Sequence, residues 1–167
     1  MRYNKIRKMD ISNGPGVRVS IFLQGCAFHC ENCFNPETWD FEGGEEFTEE
    51  TLNDVMKLCG QSHIKGLSIL GGEPMHPKNI ETTKLLAKTF KEKYPEKNVW
   101  VWSGYTFEDY LSKQDAIKYI DVIVDGQFVD AKRNPKLKWS GSENQRAIDV
   151  KESLKTGNVV VLDQLRK

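Results

Sequence analysis

Three of the four cysteines in the sequence lie within eight residues, in the spacing Cys26-x-x-x-Cys30-x-x-Cys33. Thiolate sulfur is the usual protein ligand of iron–sulfur clusters, and three thiolates on one short loop can hold three irons of a 4Fe–4S cluster. The fourth iron would then be open to a substrate or cofactor, and an open coordination position distinguishes catalytic from structural metal centres. The spacing therefore predicts a catalytic cluster with Cys26, Cys30 and Cys33 as its ligands.

Other roles for the cysteines stay open at this point. Cys59 could complete the four-cysteine site of an electron-transfer ferredoxin, but it shares a helical spacing with Val55 and Met56 and is expected in the core. A structural zinc site would need His29 as its fourth ligand. Zinc sites usually pair two half-sites, and the adjacent side chains of His29 and Cys30 would not easily point at one ion. Three unrelated cysteines are the remaining alternative.

The elements around the cysteines alternate between strands and helices. Apolar, β-branched and aromatic runs predict strands at 17–23, 67–70, 99–102, 122–124, 147–150 and 159–162. Helical spacing predicts helices at 48–59, with Thr48 as N-cap, at 80–94, and over a short stretch from Phe107. This order is typical of βαβ units, and three or four units are too few for a closed eight-stranded barrel. We expect an α/β fold, an open partial (βα) barrel of mostly parallel strands, in one domain over 1–167.

Polar and glycine residues follow these strands at the edge where such sheets bind ligands. The cysteine loop follows the first strand, Gly71, Gly72 and Glu73 follow the second, Ser103 the third and Asp125 the fourth. In open α/β sheets, ligands bind at the carboxyl ends of the strands. We therefore expect one shared site, although Gly-Gly-Glu-Pro also suits a plain turn, and serine and aspartate also favour turns and caps.

Charge and hydropathy exclude several classes of function. Lys plus Arg and Asp plus Glu both total 24, whereas nucleic-acid binders usually carry a basic excess. No apolar run approaches the roughly 20 residues that span a bilayer, and the first residues do not resemble a secretory signal. Clustered cysteines are typical of metal or redox chemistry in a cytosolic protein. We expect a cytoplasmic protein without nucleic-acid or membrane partners.

The cysteine spacing after a first strand resembles the signature of the radical S-adenosylmethionine superfamily. More narrowly, the sequence is similar to the activating proteins of anaerobic ribonucleoside-triphosphate reductases. The matching segments, in the order of that family, are NGPGVR (13–18), FLQGC (22–26), CFN (33–35), TW (38–39), GGEPMHP (71–77), WSGY (102–105), DGQF (125–128) and GSENQR (141–146). The resemblance covers residues 10 to 149, nearly the whole chain.

The resemblance implies a reaction and a set of cofactor contacts. The open iron would chelate S-adenosylmethionine, and reductive cleavage would give methionine and a 5′-deoxyadenosyl radical. In the family, this radical takes hydrogen from a glycine of the large subunit of the reductase. We expect flavodoxin or a similar low-potential protein to supply the electron. The resemblance implies that Gly71, Gly72 and Glu73 meet the methionine amino group. We further expect the backbone around Asn32, Cys33 and Phe34 to contact the adenine, and Ser103 and Asp125 to reach the ribose or carboxylate from their strand ends.

Three other functions remain alternatives. The chain could activate another glycyl-radical enzyme such as pyruvate formate-lyase, although those activators tend to be longer. It could also modify a small molecule. A non-catalytic iron–sulfur electron carrier belongs to a different class, and its cluster would not respond to S-adenosylmethionine. The basic stretch at 132–138 could meet an acidic electron donor or the reductase, although a solvated loop would look the same.

Overall fold

The computed structural model describes residues 1–164, within which the chain forms a mixed sheet of eight strands and three α-helices. The expected domain boundary at residue 167 lies outside them. The strands are β1 (Arg2–Asp10), β2 (Arg18–Leu23), β3 (Glu45–Glu46), β4 (Gly66–Gly71), β5 (Asn98–Trp102), β6 (Val122–Asp125), β7 (Arg146–Asp149) and β8 (Val161–Leu162). The helices are α1 (Glu49–Cys59), α2 (Ile80–Lys93) and α3 (Val150–Thr156).

The strand order is β3-β1-β2-β4-β5-β6-β7-β8, and only the four central strands are parallel to one another. The outer pairs β3–β1, β1–β2, β6–β7 and β7–β8 are antiparallel. The expectation of mostly parallel strands is therefore correct only for the centre of the sheet. A parallel neighbour needs a crossover connection, whereas the segment 126–145 turns back at the carboxyl end of β6. Apolar periodicity predicts a strand without revealing its direction.

The helices begin and end close to where the sequence places them. Thr48 caps α1 through a reciprocal pair of bonds: the Thr51 backbone N–H donates to the Thr48 hydroxyl at 3.2 Å, and the Thr48 N–H donates to the Thr51 hydroxyl at 3.1 Å. Cys59 is fully buried in the core, as expected. In place of a short helix from Phe107, two 3₁₀ turns lie further on, at Leu111–Lys113 and Asp115–Tyr119.

The two faces of the sheet are packed differently, because successive side chains of a strand point to opposite faces. One face packs against α1 and α2, through Val19, Ile21, Leu67, Ile69, Val99 and Val101 on the strands and Val55, Met56, Leu86, Ala87 and Phe90 on the helices. On the other face, Trp100, Val122, Val124 and Ala147 form a smaller cluster, with Trp102 and Trp139 packed against it. That second face lines a groove leading to the carboxyl ends of the parallel strands.

Arg18 ties the turn before β2 to the sheet although it is completely buried. Its Nε donates to the Ser68 hydroxyl at 2.7 Å, and its terminal nitrogens donate to the carbonyls of Pro15, Leu67 and Asn98 at 3.1 to 3.2 Å. Burial lowers the pKa of the guanidinium to about 10, so the side chain stays charged at neutral pH. The charge is therefore held by neutral oxygens in its immediate surroundings.

Replacing Arg18 with methionine is expected to lower the free energy of unfolding by about 3 kcal/mol, because several buried oxygens lose their donor. Urea unfolding followed by circular dichroism measures the loss. Arg133→Met is the matched control. The Arg133 side chain is half-exposed, forms an ion pair with its near neighbour Asp130 and lies over the Phe34 and Phe128 rings, so its replacement should cost less than about 1 kcal/mol. Equal stabilities of the two variants would contradict this role for Arg18.

Among the described residues, no helix combines the length and the apolar character needed to cross a membrane.

Candidate iron–sulfur site

The cysteine loop begins where β2 ends, and backbone hydrogen bonds fix both of its ends. The Gly25 N–H donates to the Thr38 carbonyl at 2.7 Å, and the Cys26 N–H donates to the Trp39 carbonyl at 3.1 Å. Within the loop, His29 and Asn32 have φ angles of 48° and 56°. Non-glycine residues seldom adopt this left-handed conformation, which is concentrated at functional sites. The loop is thus held in a strained shape rather than left as a loose connection.

The three cysteines line one cavity of about 140 Å³ at the carboxyl edge of the parallel strands. All three are free thiols and partly buried. The other predicted site residues that line the same cavity are Phe34, Gly71, Gly72, Glu73 and Ser103. Asn32 is exposed and Asp125 is buried, and neither lines this cavity. The structure therefore brings most of the predicted site together.

Each thiol has backbone N–H donors close to its sulfur. The Asn35 N–H donates to Cys33 Sγ at 3.4 Å. Backbone N–H groups of Phe28 and His29 favour the Cys26 thiolate, and that of Phe128 favours the Cys30 thiolate. Burial outweighs these donors and raises the pKa of the Cys26 and Cys30 thiols.

The sulfurs, their donors and one further group fit an iron–sulfur cluster. Trp39 lines the same cavity, and its buried indole N–H has no hydrogen-bond partner among the described residues. A sulfur atom of a bound cluster could accept a hydrogen bond from this N–H group. The thiols are spread around the cavity: within residues 1–164, no three His, Cys, Asp or Glu side chains are close enough to hold a single metal ion. Cysteine ligands of an iron–sulfur cluster bind different irons, so such ligands need not converge on one point.

Glu73 connects the ends of β4 and β5. Its carboxylate is buried and accepts hydrogen bonds from the Gly104 N–H at 2.6 Å, the Ser103 hydroxyl at 2.8 Å and the Met75 N–H at 2.9 Å. Burial raises the pKa of Glu73 to about 7, against the effect of these donors. The sequence predicted both Glu73 and Ser103 as site residues, but it did not show that the two bind each other.

The glycines before Glu73 allow the end of β4 to approach the cysteine loop. A Cβ on Gly72 would lie 2.5 Å from the carbonyl oxygen of Gly25, which directly precedes Cys26. Gly71 has a φ of 123°, which favours glycine. The Glu73 N–H donates to the same Gly25 carbonyl at 2.8 Å. The double glycine therefore holds the Gly-Gly-Glu turn directly against the base of the cysteine loop.

Asp125 is fully engaged by other protein groups. Its two oxygens accept hydrogen bonds from Arg146 at 2.6 and 3.1 Å, and the Phe107 N–H donates to one of them at 2.9 Å. Arg146 also pairs with Glu108 at 2.6 Å, and its two carboxylate partners raise its pKa. This network was missed in the sequence, where Arg146 was only the last residue of a matching segment.

A larger groove of about 660 Å³ adjoins the cysteine cavity and shares lining residues with it. The shared residues include Phe34, Gly71, Gly72, Trp102 and Phe128. Among the described residues, the charged side chains that line the groove are all cationic, namely Arg7, Arg133 and Lys138. The cysteine cavity therefore opens into a wider, positively charged groove on the face of the sheet opposite α1 and α2.

Comparisons with known proteins agree with this geometry. Residues 12–148 match the family model described as a 4Fe-4S single cluster domain. The chain is 41% identical over 146 residues to a protein of Enterobacteria phage T4, covering 87% of this chain and 92% of that protein. It is 38% identical to a protein of Vibrio cholerae and 36% identical to one of Escherichia coli K12, covering 87% of this chain and 96% of each relative. All three relatives are named anaerobic ribonucleoside-triphosphate reductase-activating protein.

Proposed function

The chain belongs to the family of anaerobic ribonucleoside-triphosphate reductase-activating proteins and contains a 4Fe–4S single cluster domain. We propose that this protein is the enzyme that installs the glycyl radical in such a reductase. When bound, the cluster would supply the one-electron reduction that splits the C5′–S bond of S-adenosylmethionine into methionine and a 5′-deoxyadenosyl radical. This radical would then take a hydrogen atom from a glycine of the reductase. The protein's part is to bind, orient and shield these groups.

The observation that carries this proposal is the shared cavity of the three cysteines and the Gly-Gly-Glu turn. Cys26, Cys30 and Cys33 would bind three irons, and the backbone N–H groups close to their sulfurs would support the thiolate ligands. Because the Gly25 carbonyl receives the Glu73 N–H, the turn stays at a fixed position beside the cysteines. The turn is therefore placed to contact a cofactor that binds beside the cysteines.

The other site residues are assigned by their position around this cavity. Gly71, Gly72 and Glu73 would hold the methionine end of S-adenosylmethionine, with glycine allowing close approach of the backbone. The backbone around Asn32, Cys33 and Phe34 would contact the adenine. The side chains of Ser103 and Asp125 already bind Glu73 and Arg146, so we assign them to holding the strand-end loops that face the ribose and carboxylate.

The cationic groove provides the route for the protein substrate. A glycine-bearing loop of the reductase would enter along the second face of the sheet and reach the cysteine cavity past Phe34 and Phe128. In this assignment the sheet acts as the open partial barrel of the radical S-adenosylmethionine type, with residues 1–167 working as one unit. A low-potential donor such as flavodoxin would approach the basic stretch at 132–138, where Arg133 lies 5.4 Å over the Phe34 ring.

Anaerobic reconstitution with iron and sulfide tests the function. The dithionite-reduced protein is expected to give an electron paramagnetic resonance signal that changes when S-adenosylmethionine is added, to release 5′-deoxyadenosine, and to produce a glycyl radical in its own reductase. A signal unaffected by S-adenosylmethionine, without product, would indicate an electron carrier instead. Deoxyadenosine release without a radical in the reductase would point to another target, such as pyruvate formate-lyase.

A further inference from the structure

Gln127 reaches the cysteine loop from a distant part of the chain. Its side-chain Oε1 lies 3.8 Å from Cys30 Sγ, across 97 residues of sequence. Gln127 follows β6 by two residues and lines the same cavity as the three cysteines. The sequence resemblance includes Gln127 in a matching segment but implies no role for it.

Neighbouring residues hold the Gln127 segment in place beside Cys30. The Asn144 side-chain amide donates to the Gln127 carbonyl at 2.8 Å, and the Gln145 side-chain amide donates to the Gly126 carbonyl at 3.0 Å. The next residue, Phe128, provides the backbone N–H that favours the Cys30 thiolate. A side chain on a backbone fixed in this way loses little freedom when it forms one more hydrogen bond.

The Cys30–Gln127 contact must change its polarity when a cluster is bound. In the structure, the Cys30 thiol donates to the Gln127 amide oxygen. A metal ligand is the thiolate, which has no proton to donate. Two acceptors would then face each other, unless the amide turns about its last bond and presents its N–H group. Such a rotation exchanges the positions of the amide oxygen and nitrogen, so the N–H group comes to lie where the oxygen was.

We propose that the Gln127 side-chain amide donates a hydrogen bond to the Cys30 thiolate when the cluster is bound, and that this hydrogen bond raises the reduction potential of the cluster. This proposal rests on the cluster ligation proposed above. Hydrogen bonds to the sulfurs are among the factors that set these potentials. The reduced cluster carries one more negative charge, and a donor is worth more to a charged acceptor. Gln127 is thus a positioning residue that makes the cluster easier to reduce.

The test compares reconstituted Gln127→Met with the wild-type protein in a redox titration followed by electron paramagnetic resonance. Methionine has a similar length but donates no hydrogen bond. At a fixed potential, the ratio of reduced to oxidised cluster is expected to fall by about threefold, and one exchangeable deuteron coupling should disappear in deuterium oxide. Gln127→Glu should lower the ratio further, because it adds a negative charge. Gln61→Glu is the control, because Gln61 is exposed and precedes β4, so it lies at the amino ends of the parallel strands and away from the cysteine loop.

Iron and sulfide content separate this inference from the proposed function. A wild-type protein that takes up no cluster would contradict the proposed function itself. If the wild-type protein is loaded but Gln127→Met has an unchanged potential, or loses its cluster altogether, the tuning role of Gln127 is wrong. A shift of equal size in Gln61→Glu and Gln127→Glu would show that net charge, and not the contact with Cys30, moves the potential.

Discussion

Replacing Cys30 with alanine is expected to abolish cluster assembly and release of 5′-deoxyadenosine while leaving the fold intact. Two cysteines on the loop would remain, and the cluster would lose the ligand that the 126–128 segment contacts. Cys30 is only partly buried, so its removal should change the free energy of unfolding by less than about 1 kcal/mol. Iron and sulfide analysis, the visible spectrum and product assay measure the first effect, and urea unfolding of the apoprotein measures the second.

Cys59→Ala is the matched control, because it removes the remaining cysteine from a different environment. Cys59 lies in the core among the inward residues of α1, and burial raises the pKa of its thiol to about 12. A thiol of this kind acts as a small apolar group. We expect a normal cluster and normal product release, with stability lowered by about 1 kcal/mol. Loss of the cluster in this variant, or its retention in Cys30→Ala, would reverse the assignment of the ligands.

The central part of the fold was predictable because its strands carry strong local signals. β2, β4, β5 and β6 are short, mainly apolar runs, and each is followed directly by a glycine or polar residue. β1 has no such signal, since Arg7, Lys8 and Met9 are exposed one after another. Its position follows from backbone pairing with β2. β3 has only two residues, and pairing with β1 alone defines it. Backbone hydrogen bonds between distant segments leave little trace in the side-chain pattern.

The candidate site was predictable to the extent that its residues occur at the ends of predicted strands. The cysteines and the Gly-Gly-Glu turn were found in this way. The partners of these residues were not, because Glu73 meets Ser103 across 30 residues and Arg146 meets Asp125 across 21. Such pairs depend on how the loops close over the sheet. Gln127 and Trp39 were missed for a related reason, since an amide or indole N–H shows its role only beside a sulfur-lined cavity.

Glu73 makes the stability of the protein depend on pH in an unusual direction. Its carboxylate is buried, no cation pairs with it among the described residues, and its pKa in the folded protein is about 7. Between the ordinary pKa of glutamate and about 7, the folded protein therefore binds a proton that the unfolded chain has released. Stability must fall as the pH rises through this range. A carboxyl group whose pKa is lowered by folding, such as that of Asp10, makes stability rise with pH instead, but at lower pH.

Glu73→Gln is expected to remove this pH dependence. Relative to the variant, the wild-type apoprotein should lose roughly 2 to 3 kcal/mol of stability between pH 5 and pH 8. Glutamine can still accept from the Gly104 N–H and can donate to the Ser103 hydroxyl, but it leaves the Met75 N–H without its acceptor. The variant should therefore be the less stable protein at pH 5 and match or exceed the wild type at pH 8. Urea unfolding at the two pH values measures both proteins, and a difference that does not change with pH would show that Glu73 is ionised throughout.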